Sequence, residues 1–488
     1  MRPLLVLAAV LALGVFGAPA LAQTPAPQTP APVAPPVPPT PGPAPTPPAR
    51  ALDLRAAVRY ALDHDPTVLN RRSALAQNEA TFARDHAAEF PSLSGQLQNQ
   101  MAKTNGNNGG SFSQFGLSQA QVFSQNVAQI GSTYNIYTGS SAQIAAQSAK
   151  RQVESSRADL RRAEQQLASD VAAAYFNVVQ QREGVRLSEG DRAYQQQLLD
   201  AARAQERVGR AAGVDVLRAQ VNELRSEANL TTARANEANA REALAQRIGA
   251  PPDTAFSFPV ALPEPPVPST PLPALVAAAL SNRSDVASAQ AQVAVARLAD
   301  AAIESDRRPQ IQLTGAFGNT ETPTTATSGP TVIPGFGVIP GTTISRPGFW
   351  QIGAVSTLTI PFVEYGSRRA AHRAARAQLD AAEGQLAFTK SAVETDVRQS
   401  LRAVQTTNAN LITSREAERL GAESARIAQL QYRNGLISLT DATAAEQSAL
   451  SAANDLVVAR VNYLNALVRL RASVGAADPV AVVDLGAP

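Results

Sequence analysis

From Gly366 to Asn434 the chain runs for almost seventy residues without a proline, and a second long helical pattern follows as far as Gly475. Between them lies a short break, Gln431 to Gln447, QYRNGLISLTDATAAEQ. A helix of that length spans about 100 Å, far more than a compact core can cover, so its apolar stripe must lie along another helix. The return arm has the matching pattern, with Leu450, Val457 and Leu464 in one heptad row and Leu456, Tyr463 and Leu470 in the other. The reading is an antiparallel coiled-coil hairpin turning at Asn434-Gly435. Both residues tolerate the left-handed backbone that ends a helix, and Asp441 falls in the first turn of the next helix, where a carboxylate suits the dipole. The device occurs a second time. Arg207-Val208-Gly209 is followed six residues after the glycine by Asp215, as Gly435 is by Asp441.

That recurrence extends to the whole plan. From Leu52 to Phe90 the period is helical, with Asp53 as N-cap and with Pro66 placed to kink or restart the helix. Pro91 closes it and the period changes to two: Leu93, Leu97 and Met101 fall on one side, Ser94, Gln96, Gln98 and Gln100 on the other. An apolar outside and an uncharged polar inside suit a membrane-barrel strand. The polar segment Lys103 to Ser113 reads as an exposed connection, and a second strand falls within Phe123 to Tyr137, where Ile130, Tyr134 and Ile136 alternate with Gly131, Thr133 and Asn135. A long helix from Ser140 to Gly209 and a shorter return from Val214 to Ile248 complete the unit. After a proline-rich connector, Ala250 to Pro273, the sequence repeats: a helix Leu275 to Arg308, a strand with Ile311, Leu313 and Phe317 on one face, a longer loop Asn319 to Gly348, and a strand Phe349 to Ile360 carrying Trp350, Ile352, Ala354, Leu358 and Ile360 on one face. Pro309 follows Pro91 by 218 residues and Gly435 follows Gly209 by 226, so the extra eight residues belong to the strand region. Internal duplication is the main organisational signal.

The expected division is therefore a secretory leader 1–22, a proline-rich tether 23–50, repeat 1 over 51–249, a connector 250–273, repeat 2 over 274–475 and a tail 476–488. The leader rests on Arg2, the apolar run Leu4 to Phe16 and Ala20-Leu21-Ala22. About half of Thr24 to Pro48 is proline, which gives a semi-rigid tether. Beyond the leader no stretch supplies the roughly 20 apolar residues of a spanning helix, so any membrane crossing must use strands.

Composition excludes several functions. The net charge of +3 (+2 without Arg2) is far below the basic excess of a nucleic-acid binder. There is no cysteine, hence no disulfide, thiol chemistry or lipid anchored on cysteine. His64, His86 and His372 lie far apart in helical patterns and read as solvated surface residues, and no glycine cluster opens a helix after a strand to cradle phosphate. No catalytic residues, cofactor or metal ligands are expected, and the chain is not read as an enzyme.

Helix lengths set the shape. Each return arm covers only about half of its partner at 1.5 Å per residue, and the helix preceding the strands supplies the missing length if stacked end to end with it. Four strands cannot close a barrel, and an open edge in lipid leaves backbone groups unsatisfied at several kcal/mol each. Closure must come from other copies.

The paired blocks AVRYALDHDP…FPSLSGQ and LVAAALSNRSDV…RPQIQLTG, the segment LTIPFVEYGSRRA, and the tips RVGRAAGVDVLRAQ and YRNGLISLTDATAAEQ together resemble the TolC-like outer-membrane efflux protein family. The resemblance covers nearly all of the chain after Arg50. It implies a mainly α fold with a small β part, in two tandem repeats whose coiled-coil hairpins and four transmembrane strands close as a homotrimer into a 12-stranded α/β barrel. It further implies a passive conduit in the outer-membrane lipid that extends through the periplasm and docks a periplasmic adaptor and an inner-membrane pump or ABC exporter, for efflux or type I secretion. The tips carry over residue by residue: Gly209 and Gly435, flanked by Arg207 and Arg433, match adaptor-docking tips, and Asp441 matches an acidic residue of the periplasmic constriction. Asp215 and Tyr432 match partners in links that hold closed tips together. Where some members have a second acid and an arginine, this chain has Ala444 and Ile437, so closure is expected to use fewer polar links. Taken singly, each glycine-to-aspartate motif is an ordinary helix end and helix start. The alternative reading is a periplasmic coiled-coil adaptor or scaffold without a pore, against which stand the two hairpins and four alternating strands.

Overall fold

A computed structural model of the chain describes residues 52–106, 119–209, 212–259, 263–321, 324–327, 331–333, 337–339, 343–344, 349–361, 366–476 and 478–483. The expected leader and tether lie outside the described residues.

Repeat 1 comprises α1 (Leu54–His64), α2 (Pro66–Ala87), β1 (Ser92–Gly106), β2 (Gln119–Tyr137), α3 (Ser141–Arg207) and α4 (Gly213–Ile248). Repeat 2 comprises α5 (Leu272–Asn282), α6 (Ser284–Ser305), β3 (Gln310–Glu321), short strands β4 (Thr324–Thr327), β5 (Thr331–Ile333), β6 (Gly337–Ile339) and β7 (Thr343–Ile344), then β8 (Phe349–Thr359), α7 (Ser367–Arg433) and α8 (Leu439–Val474); α9 (Pro479–Val482) follows. The helices agree residue for residue in length: 11 and 22 before the strands, 67 and 36 after them, in both repeats.

Several boundaries differ from the sequence reading, each for a local reason. The helix before the strands is two helices in both repeats. In repeat 1 the Asp65 carboxylate accepts from Thr67 N and Val68 N and restarts the chain with Pro66 at its first position. The equivalent break at Arg283 has no proline; the Arg283 backbone is extended there, and its guanidinium pairs locally with Asp285 and across to Asp396. The helices end at Ala87 and Ser305, short of Phe90 and Arg308. The polar segment from Lys103 begins as strand, because β1 stays paired with β2 out to Gly106, and the loop Asn319 to Gly348 contains the four short strands. The return helix α8 starts at Leu439, with Ser438 as its cap.

The long strands run antiparallel in the order β1, β2, β3, β8, with β4 beside the distal part of β2. The register puts Ile130, Phe317 and Ile352 side by side, and one pleat away puts Gln96 beside Gln129 and Asn135 beside Gln312. The alternation inferred from sequence is thus one apolar and one polar face of a single sheet. On the apolar face Phe317 stacks on Trp350 at 5.4 Å. On the polar face Gln129 donates to Gln96 at 3.0 Å and Gln312 to Asn135 at 3.0 Å. β1 and β8 are the free edges of this order.

The helices repeat that arrangement. Nearest the sheet the order across the layer is α2, α3, α6, α7; farther away it is α4, α3, α8, α7. The end-to-end stack forms where α1 meets the end of α4: a Cβ at Gly249 (φ +72°) would press on the His64 carbonyl at 3.4 Å. A Cβ at its counterpart Gly475 (φ +82°) would come within 3.0 Å of Arg283 N. The main core lies at this level, with Val58, Val171, Val178, Leu244, Ile248 and Leu464 fully buried, each worth roughly 1.5–3 kcal/mol against exposure. Leu52 and Phe256 form a bridge over it, and Val482 and Val483 close it from the tail. Among the described residues no helix is long and apolar enough to cross a membrane.

The histidines are not all plain surface groups. His372 lies between Asp300 and Glu304, its ring nitrogens 2.8 Å from each carboxylate, so α7 and α6 are joined there; His64 stacks on Tyr60 at 4.0 Å. Periodicity placed His372 on a wet face, but the neighbouring helix covers it.

Candidate periplasmic gate

The two hairpins meet far from the sheet, where α3 runs against the end of α7 and the start of α8. A small apolar cluster fills the junction: Leu198, Leu199 and Ala202 of α3, Ala219 of α4, Tyr432 of α7, and Leu439 and Ala442 of α8. Four hydrogen bonds cross from one hairpin to the other around it. Tyr194 donates to the Ala442 carbonyl (3.3 Å), Gln205 donates to the Tyr432 carbonyl (2.7 Å), and Gln197 accepts from Gln429 (2.8 Å) and Arg433 (2.9 Å).

Gly209 (φ +72°) and Gly435 (φ +73°) are left-handed, as expected of helix ends, and a Cβ at either would meet nothing within 4 Å. Backbone conformation alone selects glycine there. Arg207 is exposed and donates to the Arg203 carbonyl at 3.4 Å. Arg433 is engaged with Gln197, inside the link between hairpins. Asp441 is exposed and forms a full capping box with Ser438: its carboxylate takes the Ser438 amide (3.3 Å) and hydroxyl (2.8 Å), while the Ser438 hydroxyl takes the Asp441 amide (3.2 Å). Asp215 sits in the first turn of α4, 3.8 Å from Arg218.

Tyr432 and Asp215 are brought together. Tyr432 is buried, its hydroxyl has no hydrogen-bond partner among the described residues, and burial followed by the Asp215 charge pushes its pKa up. An orphaned buried hydroxyl costs about 1–3 kcal/mol. The tip therefore holds a polar group that would be better satisfied if the helices moved.

Sequence reasoning missed Ser438, although a serine three residues before an acid at a helix start is a legible signal. It also missed Tyr194, Gln197 and Gln205. No local pattern marks them, since their partners are more than 220 residues away.

Midway along the helices, Arg283 makes a bidentate pair with Asp285 (3.1 and 2.7 Å) and reaches Asp396 (2.6 Å) and the Ser473 carbonyl (3.3 Å). Burial works against its charge, yet the hydrogen bonds to the two carboxylates outweigh it and hold the guanidinium above its ordinary value. These groups line an open cavity of about 520 Å³. Among the described residues no cluster of three or more His, Asp or Glu has the arrangement of a metal site.

A family profile described as outer membrane efflux protein matches residues 57–250 and 275–476. No curated protein sequence matches the chain. The fold is similar to that of the CmeC outer membrane channel of Campylobacter jejuni (18% identity, 86% of this chain and 85% of that one, TM-score 0.67). It is similar as well to VceC from Vibrio cholerae (16%, 86% and 96%, 0.65). A third likeness is to the open state of the MtrE channel of Neisseria gonorrhoeae (19%, 86% and 88%, 0.66).

Proposed function

Because this chain belongs to the outer membrane efflux protein family, we propose that it acts as a homotrimer, the outer conduit of a tripartite exporter. The family is one of outer-membrane channels that extend into the periplasm, not of enzymes. In this reading three four-stranded sheets close a 12-stranded barrel, three pairs of hairpins form the tunnel below, and a periplasmic adaptor and an inner-membrane pump or ABC exporter complete the path. Residues 1–22 act as the removed leader, and 23–50 as a tether.

The observation that carries the proposal is that the free flanks coincide at every level. The sheet ends in unpaired β1 and β8 edges, which lipid cannot satisfy. The helical layer ends in α4 and α7, and these carry exposed apolar seams. On α4, Val214, Leu217, Val221 and Leu224 follow heptad spacing; on α7, Leu420, Ile427 and Leu430 do. In a trimer one copy's α4 seam would lie against the next copy's α7 seam near the tips, on the same two flanks on which β1 of one copy would meet β8 of the next at the sheet. A scaffold without a pore would have no use for two such sheet edges.

Reconstituted protein should migrate as a heat-dissociable trimer and form discrete ion-conducting channels in planar lipid bilayers. A monomer without conductance would overturn the reading. Asp215, Tyr432 and Asp441 act in this picture as gate residues, and the Gly209 and Gly435 tips with Arg207 and Arg433 as the adaptor-docking surface. Since the Tyr432 hydroxyl is orphaned among the described residues of the packed tip, replacing Asp215→Ala together with Tyr432→Phe should lower the open fraction several-fold, with unchanged conductance counting against their gate role.

A further inference from the structure

The α3–α8 seam that joins the two hairpins contains one feature not required for packing. Glu446, two turns into α8, is half-buried one turn beyond Ala442, whose carbonyl accepts from the Tyr194 hydroxyl of α3 at 3.3 Å, and Asp191 lies one turn before Tyr194 on α3, near enough for its charge to act on Glu446. Gln195, buried on the same stretch of α3, donates to Asp191 at 3.1 Å and fixes it in place. Two acids thus face each other across the contact that must slide if the hairpins separate. Repeat 1 lacks the pair: 226 residues earlier, Gln220 stands in the place of Glu446, and Asp191 is matched in repeat 2 by Ala417.

We propose that Glu446 is a proton-sensitive latch between the two hairpins of one subunit: neutral, it docks in the seam beside Asp191; ionised, it weakens the seam and favours an opened tip. Its consequence for conduction rests on the channel reading above; the movement of the seam does not.

The charges around it agree. On α3 the facing groups are Asp191 and Tyr194. Burial, followed by the Glu446 charge, pushes Tyr194 up to about 12, so this hydroxyl stays a neutral donor to the Ala442 carbonyl. On α7 the charge of Arg433 reaches Tyr194 while its side chain is committed to Gln197. Arg192 of α3 turns to Glu223 and Glu227 of α4. Burial, then Asp191, accordingly raises the Glu446 pKa from 4.5 to about 7. The sign follows. At pH below 4.5 the acid is neutral both docked and released, and docking carries no proton penalty. As pH climbs towards 7 the released form ionises first and the docked seam loses stability; above 7 the loss is complete. Acid tightens the tip and neutral to alkaline pH loosens it.

The absence of cysteine permits a direct test. Spin labels at exposed Arg203→Cys on α3 and Thr440→Cys on α8 of the full chain report the seam by electron–electron distance at pH 5.5 and pH 8. The docked distance should lose population at pH 8 by on the order of tenfold, a figure reduced for partial solvent screening. Glu446→Gln, the repeat 1 residue at that place, should keep the pH 5.5 distance at both pH values, and Asp191→Asn should move the transition to lower pH. A wild-type distance independent of pH, or a Glu446→Gln protein that still responds, overturns the latch. A pH-dependent distance without bilayer conductance would leave the latch standing and remove the channel reading instead.

Discussion

The two return arms, α4 and α8, are both 36 residues long and both end at a left-handed glycine, yet they live in different surroundings. α8 buries Leu456, Val457, Val461, Tyr463, Leu464 and Leu467. The matching places in α4 hold Leu230, Thr231, Ala235, Glu237, Ala238 and Arg241, and of these only Leu230 is buried. The cause is position in the layer. α8 lies between α7 and α3 and is covered on two sides, whereas α4 lies on the flank with α3 on one side only. What α4 keeps on its other side is the seam of Leu217, Val221 and Leu224, left 63%, 46% and 56% exposed. Duplication copied lengths and glycines; packing then set each arm's composition. The sparser arm is the one whose apolar seam stays uncovered within a single chain.

That contrast can be broken at the seam first. Val221→Asp should abolish the trimer on heat-modified gels while helix content by circular dichroism stays within a few per cent of wild type. A burial cost of several kcal/mol for an unpaired charge, repeated in three interfaces, exceeds what such contacts supply. Retention of the trimer would show that the α4 seam is not an interface. Next in size, Leu464→Ala should lower unfolding stability by about 3 kcal/mol, within the range for a fully buried leucine. Repeat 1 already has Ala238 there, so Ala238→Leu should change the midpoint little, and equal effects would erase the distinction between inner and flanking arm.

The smallest effect sharpens the comparison at the tips. α8 starts with the Ser438–Asp441 capping box, but α4 starts with Ala212 and no side-chain cap, although Asp215 occupies the matching third position. Ser438→Ala should cost about 1 kcal/mol and Ala212→Ser should gain about half that, read as a shift of local amide exchange at the two helix starts. If Ala212→Ser also draws the Asp215 carboxylate back onto its own helix, Tyr432 loses the charge that helps to raise its pKa.

Much of this was legible in one dimension. Heptad rows, Pro91 and Pro309, the glycine spacing of 226 and the alternating strands gave the two repeats, their hairpins and the faces of the sheet, since each follows from local periodicity or from a backbone angle only certain residues accept. The Arg283 break escaped because it has no proline and much of what holds it is distant: besides the neighbouring Asp285, the Arg283 guanidinium is tied to Asp396 and the Ser473 carbonyl, more than a hundred residues away. The candidate site was legible only in part. Gly209, Gly435, Asp215, Tyr432 and Asp441 stand out by spacing and resemblance, while Ser438 was readable and overlooked.

By itself the sequence determined the extent of the long hairpin helices to within a few residues and which face of each strand is apolar, because those properties are governed by interactions among residues a few positions apart. Tertiary structure alone decided which helix lies inside the layer, that Tyr194, Gln197 and Gln205 stitch one repeat to the other, and that Glu446 shares a seam with Asp191. Burial and charge proximity depend on distances between segments hundreds of residues apart, and no short-range pattern encodes them.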